Sequence, residues 1–245
     1  MVDLHCHILP GVDDGASDLR ESLAMLCLAR DSGVTEIAAT PHFPGARQSL
    51  PRLKTIYSRF LLLREKAREE RISVDLYPGA EVLCLPETPE LAREGLLPTL
   101  ADSRYVLLEF PFDTPEDVMD GLLGEIARWN YVPVVAHPER YDAICRDPRI
   151  LERWFGLGYV IQLNKGSILG SFGYRVQKTA EWILREGLAH LVASDAHSAR
   201  QRTTGMDRVR RKLEDMCPME YVFILLEENP ARVIRGQEPV PSQKY

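Results

Sequence analysis

The chain has 245 residues, of which 45% are hydrophobic and 27% charged, the mix of a globular protein with a sizeable core, and this excludes disordered and fibrous classes. Thirty basic residues against 36 acidic ones give a formal charge of −6, so the chain as a whole has no electrostatic attraction for nucleic acid. At roughly 150 residues per domain the length fits two small domains or one large α/β barrel.

In chain order, short apolar runs alternate with longer amphipathic stretches, the pattern of β-α units around a mostly parallel sheet. Strands are expected at Val2 to His5, Glu36 to Thr40, Val74 to Tyr77, Tyr105 to Phe110, Val132 to Ala136, Tyr159 to Leu163 and His190 to Ser194. The first helix, Asp18 to Ser32, opens with Asp18 and Glu21 at capping-box spacing and stops at Gly33. Further helical patterns cover Pro51 to Arg71, Pro115 to Asn130, Pro148 to Gly156, Arg175 to Gly187 and Thr204 to Met216. Seven strands alternating with helices point to a single α/β barrel over 1–236, followed by a tail at 237–245, and an open doubly wound sheet is the alternative.

The longest strongly apolar run, Tyr221 to Leu226, is far short of the ~20 residues that span a bilayer. Met1 to His5 has neither a basic nor an apolar leader region, so no membrane insertion and a cytoplasmic location are expected. The five cysteines are odd in number and form no C-x-x-C pair, which suits reduced thiols.

Five of the six histidines fall at or just beyond the end of an expected strand. His5 and His7 are two apart in an extended segment, which turns both imidazoles to one side, able to grip a metal ion. Asp13-Asp14-Gly15 follows in a turn; then come His42 after Pro41, Glu81 after Gly79-Ala80, Glu109 before Phe110-Pro111, His137 before Pro138, and Asp195 with His197. Strand C-termini of an α/β barrel converge on one face, so these positions become one cluster of about five imidazoles and four carboxylates. That set exceeds the needs of one ion and suggests two or three. His190, inside a strand without a carboxylate neighbour, and Cys6, on the opposite side from His5 and His7, read as packing.

The order D-L-H-C-H, D-D-G, T-P-H, G-A-E, L-E-F-P, A-H-P-E-R-Y, S-D-A-H runs over almost the whole chain and resembles the polymerase-and-histidinol-phosphatase (PHP) superfamily. Within it, the opening H-C-H-I-L-P-G-V-D-D-G and the H-P-E-R motif look like the manganese-dependent protein-tyrosine phosphatases of bacterial capsule and exopolysaccharide operons. The resemblance implies a distorted (β/α)7 TIM-like barrel of PHP type with three divalent metal ions, Mn²⁺ first, with Fe, Co and Zn also suited. It implies His5, His7, Glu81 and Asp195 at the first ion, Asp14, His42 and His197 at the second, and Glu81, Glu109 and His137 at the third. Asp14 is preferred to Asp13 because it directly precedes the glycine, and Asp3 is expected to sit behind a histidine as an orienting acceptor. Arg140 and Arg202 are expected to bind the phosphate, a task suited to guanidinium. Gln162, Asn164 and Ser167 would line the pocket, although relatives often carry threonine where Asn164 stands. Arg208, Arg210, Arg211 and Lys212 read as the solvated face of a helix.

The implied reaction is hydrolysis of a phosphotyrosine protein, the tyrosine-rich tail of a bacterial tyrosine autokinase, by metal-activated hydroxide attack on phosphorus. No cysteine is followed by arginine at C-x5-R spacing and no D-x-D-x-T motif occurs, which excludes a cysteine or aspartyl phosphatase on motif grounds. The competing readings are another PHP phosphoesterase of histidinol-phosphate or nucleotide type, an amidohydrolase-like barrel, for which Lys165 is the sole candidate carbamate lysine, and a phosphoprotein-binding module without turnover.

Overall fold

The computed structural model describes residues 1–241 and 244; Ser242, Gln243 and Tyr245 of the expected tail lie outside the described residues. Short strands form parallel ladders: β1 (Val2–Cys6), β2 (Glu36–Ala39), β3 (His42–Pro44), β4 (Asp75–Pro78), β5 (Glu81–Leu83), β6 (Tyr105–Glu109), β7 (Val132–Ala136), β8 (Val160–Asn164) and β9 (Leu191–Ala193). The strand order is β1-β2-β4 in one ladder and β3-β5-β6-β7-β8-β9 in the other. Each expected strand is present within a residue or two. The expected strands at Glu36 and Val74 are each followed, across Thr40-Pro41 and Gly79-Ala80, by a short second strand that pairs in the other ladder and carries His42 or Glu81.

Helices α1 (Leu19–Asp31), α2 (Arg52–Glu69), α3 (Thr88–Arg93), α4 (Glu116–Ala127), α5 (Asp142–Arg146), α6 (Ile150–Gly156), α7 (Lys165–Ile168), α8 (Tyr174–Arg185), α9 (Asp207–Glu214), α10 (Met219–Phe223) and α11 (Asn229–Ile234) fill the connections. Asp18 caps α1 by accepting from Glu21 N at 2.8 Å, and Gly33 ends it at φ 88°, where a side chain would be strained. Glu21 itself bonds the Ser17 N–H and hydroxyl rather than Asp18 N, which moves the reciprocal bond one residue upstream. The apolar run at Tyr221 lies in α10 and the turn after it, mostly buried. Among the described residues no helix is long and apolar enough to cross a membrane.

Strands β6, β7 and β8 are buried almost throughout, as parallel strands covered on both faces must be. One apolar cluster gathers Leu4, Leu107, Val134, Ala136, Val160 and Leu191 with Val233 of α11. A larger one fills the space between the strands and the helices and includes Cys6, Leu108, Val135, Ile161 and Val192. Side chains of one strand therefore alternate between the two clusters.

Strand β1 carries a register shift between Asp3 and Cys6. Its C-terminal end meets the chain just past β9: Asp195 N donates to His5 O at 2.8 Å, His7 N to Ala196 O at 2.9 Å, and Cys6 pairs with Ala196 in parallel. Beyond α11, Gln237 O accepts from the Tyr105 hydroxyl and Val240 N donates to Asn229 Oδ1, so the start of the tail packs on the domain.

Candidate metal centre

The nine residues expected as ligands come together on one face, at or beyond the ends of β1, β6, β7 and β9 and where His42 and Glu81 open β3 and β5. Their base is buried: His5, His7, Glu81, His137 and Asp195 are at most 1% exposed, whereas Asp14, His42, Glu109 and His197 stand toward the mouth. His5 Nε2 lies 3.2 Å from His7 Nε2, 3.1 Å from Glu81 Oε1 and 3.5 Å from Asp195 Oδ1. His7 Nε2 lies 3.3 Å from Glu81 Oε2 and 3.5 Å from Asp195 Oδ1. Donors about 2.0–2.2 Å from one ion are about 3.0–3.5 Å apart, so these separations are the edges of a coordination polyhedron.

The tautomers point the same way. His5 Nδ1 is 3.0 Å from Gln162 Oε1 and His7 Nδ1 is 2.8 Å from Asp13 Oδ2, acceptors that keep the proton on Nδ1 of a neutral ring. The two Nε2 lone pairs then face each other, an arrangement that needs a cation between them. Glu81 Oε2 is buried with His42 Nδ1 2.9 Å and His7 Nε2 3.3 Å away but no N–H well aimed at it, and His137 Nδ1 has no partner. A buried carboxylate without a compensating positive charge costs several kcal/mol, and the imidazoles around these acids supply that charge only by taking up protons in place of an ion. The donor set therefore fits divalent ions.

Two further groupings extend the set. Asp14 Oδ1 lies 3.4 Å from His42 Nε2 and 3.6 Å from His197 Nε2, with His7 close by. Around Glu81, His137 Nε2 is 3.1 Å from Oε1 and His42 Nδ1 is 2.9 Å from Oε2, while Glu109 is 3.6 Å from His137. Glu81 is thus common to both sides of the cluster, and His42 turns one ring nitrogen to each grouping.

Charge follows from this crowding. Burial resists protonation of His5, yet the Glu81 and Asp195 carboxylates overcome it and raise the ring to about 9. Burial resists ionisation of Asp195 too, but the charge of His5 and the bond from His7 hold its carboxyl far below the usual range. Burial works against ionised Asp13 as well, but the His7 bond brings it down to about 2. Glu109 goes up, through burial and the neighbouring Glu81 charge.

Asp13 and Asp14 divide their work. Asp13 accepts from His7 Nδ1, from His42 N at 2.8 Å and from Gly15 N at 3.0 Å, and so fixes the ring and the loop. Asp14, with a side chain 67% exposed, reaches over the mouth. Gly15 permits the turn, because a Cβ there would lie 2.1 Å from His7 O.

Asp3 departs from its expected role. Its Oδ1 accepts from Ser194 N at 2.9 Å and from the backbone N of His5 at 3.4 Å, and Oδ2 has no partner, so no imidazole is oriented by it. The register shift in β1 is the reason: it puts Asp3 in phase with Cys6, beside Lys165, and tightens the β1–β9 contact instead. Cys6 is buried in the larger apolar cluster. His190 accepts from Ile161 N at 3.0 Å and stacks on Phe155, away from the cluster.

Both arginines reach Asp195 Oδ2, Arg140 Nη1 at 3.3 Å and Arg202 Nη2 at 2.5 Å, and Asn164 Nδ2 joins them at 2.6 Å. Asp195 thereby gives one oxygen to the histidines and the other to cations and an amide. The Arg140 guanidinium lies 4.5 Å from the Phe112 ring and 4.4 Å from Phe172, held between two aromatic faces. Sequence reasoning missed Asp13 as the partner of His7, this aromatic clamp, and Glu139, which is fully buried and accepts from Asn164 N at 2.9 Å. The doubled aspartate was the one signal for any of them. Ser167 is buried and its hydroxyl has no partner. Lys165 Nζ donates to the carbonyls of Thr203 and Gly205, turned from the imidazoles. His137, Asp195 and Arg202 all have left-handed backbones, at φ 35°, 48° and 47°, the local strain that functional positions tend to hold.

A family model described as capsular polysaccharide synthesis, CpsB/CapC, matches residues 1–235. The tyrosine-protein phosphatase YwqE of Bacillus subtilis is 34% identical over 239 residues, 97% of this chain and 92% of YwqE. A crystal structure from the work on YwqE of Bacillus subtilis and CpsB of Streptococcus pneumoniae, described as metal-dependent tyrosine phosphatases, superposes with a TM-score of 0.88 at 31% identity, covering 100% of this chain and 99% of that one. The histidinol phosphatase candidate hisK of Listeria monocytogenes, at TM-score 0.54 and 10% identity over 82% of this chain and 96% of its own, shares the fold alone. On the extent of these matches, the chain belongs to the CpsB/CapC family of capsular polysaccharide synthesis.

Proposed function

We propose that this protein is a metal-dependent tyrosine-protein phosphatase built on one closed barrel of seven β-α units, with the site at its strand C-termini. The observation that carries the reading is the buried quartet His5, His7, Glu81 and Asp195, in which each histidine Nε2 lies 3.1–3.5 Å from the other and from both carboxylates, directly beside two arginines. The bonds from Asp195 and His7 across to the opposite terminal strand support closure of the barrel, with residues 1–236 as one unit. Family membership supports tyrosine phosphate as the substrate class. The tyrosine-rich tail of a bacterial autokinase is the substrate that the sequence resemblance favours, and the five free cysteines suit a reducing cytoplasm.

Three ions would be held by His5, His7, Glu81 and Asp195, by Asp14, His42 and His197, and by Glu81, Glu109 and His137, with Mn²⁺ the first choice for mixed nitrogen and oxygen donors. Divalent ions at such a site, when bound, make hydroxide available at neutral pH and neutralise phosphate charge. Arg140 and Arg202 each spend one N–H on Asp195, which leaves the rest of each guanidinium fork for phosphate oxygens. The Phe112 and Phe172 faces hold Arg140 in that orientation before substrate arrives. Gln162 and Asp13 fix the His5 and His7 rings with Nε2 toward the site. The P–O bond to the tyrosyl oxygen breaks as water oxygen bonds phosphorus, and a phenol of pKa about 10 leaves.

Chelator-treated protein is expected to lose phosphotyrosine hydrolysis and regain it with Mn²⁺, with about three ions per chain by elemental analysis. Activity indifferent to chelation sinks the reading. Arg140→Ala should raise KM or lower kcat while the metal content stays unchanged.

A further inference from the structure

A pocket of about 380 Å³ opens beside the metal centre and shares Asn164, Phe172 and Arg202 with it. Its other walls include Arg200 and Arg208, and no aspartate or glutamate lines it, in a chain with six more acidic than basic residues. Arg208 was expected to belong to a solvated helix face, together with Arg210 and Arg211. Those two do close pairs one turn apart, Arg210 with Glu214 at 2.9 Å and Arg211 with Asp207 at 2.7 Å. Arg208 has no carboxylate partner among the described residues and lines the pocket instead. The floor is fixed by Lys165, whose ammonium is tied to the Thr203 and Gly205 carbonyls, and Arg202 is held in a left-handed conformation at the boundary with the metal centre.

Arg202 is paired with Asp195 and Arg200 is partly offset by Glu21, so the uncompensated charge on the cavity is that of Arg208, and such a charge on a cavity of this size attracts an anion. The scissile phosphate belongs over the imidazoles and Asp195, so the pocket is free for a second charge on the same substrate. Building on the phosphatase reading, we propose that this pocket is an oxyanion subsite for a residue close to the phosphotyrosine, and that Arg208 with Arg200 gives the enzyme its preference among phosphotyrosyl peptides. Carboxylate and phosphate both meet the chemistry, since each accepts the guanidinium fork.

Three phosphotyrosyl peptides of equal length, with neutral, glutamate or phosphoserine residues beside the phosphotyrosine, are compared with p-nitrophenyl phosphate on the Mn²⁺-loaded protein and its Arg208→Gln variant. Non-hydrolysable phosphonate versions are titrated by fluorescence anisotropy. The expected result is kcat/KM and affinity about fivefold higher for a charged neighbour, the size of a partly exposed ion pair. Arg208→Gln should erase that gain and leave p-nitrophenyl phosphate and the neutral peptide within about twofold. A gain with glutamate assigns the pocket to carboxylates, and a gain with phosphoserine alone assigns it to phosphate. Equal rates for all three peptides overturn the proposal. So does an equal loss on every substrate including p-nitrophenyl phosphate, which would make the pocket the seat of the tyrosyl ring. If no substrate is hydrolysed, the phosphatase reading falls by itself, and anisotropy then decides the subsite: charge-dependent binding weakened by Arg208→Gln upholds it, and binding indifferent to charge overturns it.

Discussion

His5 and His190 are both buried, at 0% and 7% exposure, and each has Nδ1 fixed by a hydrogen bond, His5 with Gln162 and His190 with the Ile161 N–H. Their rings nevertheless move in opposite directions, His5 up to about 9 and His190 down to about 4. Burial opposes the charged ring at both places. At His5 the carboxylates of Glu81 and Asp195 stand 3.1 and 3.5 Å away, whereas His190 has Phe155 against its face and no carboxylate partner among the described residues. A buried imidazole alone sheds charge; a buried imidazole with acids around it marks a place that demands a cation.

The comparison breaks most severely at Glu81, because its two oxygens face four imidazoles. Glu81→Gln keeps the shape and removes the charge, so the His5 region should come to resemble that of His190, neutral and without ions. A drop in phosphotyrosine hydrolysis on the order of 10³-fold is expected, together with loss of bound metal by elemental analysis. A variant that keeps its full metal content would show that Glu81 is not the shared group.

Asp13 and Asp14 sharpen the same contrast on a smaller scale. Asp13→Asn leaves His7 Nδ1 with a poorer acceptor, and loss of such a support lowers metal affinity or activity about 10- to 100-fold. Stoichiometry at saturating Mn²⁺ should be retained in that variant. Asp14→Asn, which touches only the open grouping with His42 and His197, should cost about one ion per chain. Swapped outcomes in a metal titration would reverse the roles given to the two aspartates.

The cluster was legible because strand ends could be located from apolar runs and because carboxylates or turn residues stood next to five of the six histidines. The same criterion separated His190, whose neighbours Leu191, Val192 and Ala193 are apolar. Less of the strand geometry was visible. Pro41 and Gly79 read as strand ends, yet the chain resumes pairing after each, in a second ladder, and it is these short strands that carry His42 and Glu81. Pairing partners three elements away decide that, and a single strand's pattern does not record them. The misplacement of Asp3 has the same origin, since a register shift within β1 leaves no mark in the alternation of Asp3, Leu4, His5 and Cys6. Phe112 and Phe172 escaped because an aromatic on a loop carries no spacing that ties it to Arg140.

The smallest expected effect tests the other side of the comparison. Burial lowers His190 to about 4, so the folded protein keeps the ring neutral while the unfolded chain binds a proton below about 6.5. Stability rises with pH wherever the unfolded state holds more protons, and His190 therefore withdraws stability as pH falls from about 6.5 to about 4, by up to about 3 kcal/mol in all. His190→Asn removes the titration and retains an acceptor for the Ile161 N–H. It should lose some stability at neutral pH through the lost contact with Phe155, and the gap to the wild type should narrow steadily on acidification, as followed by urea unfolding of the two proteins from pH 7 to 4.5. The cluster histidines titrate in both proteins and cancel in the difference. A gap that stays constant over that range would mean that His190 takes up its proton in the folded state as readily as in the unfolded chain, and that burial without carboxylates is not what sets it apart from His5.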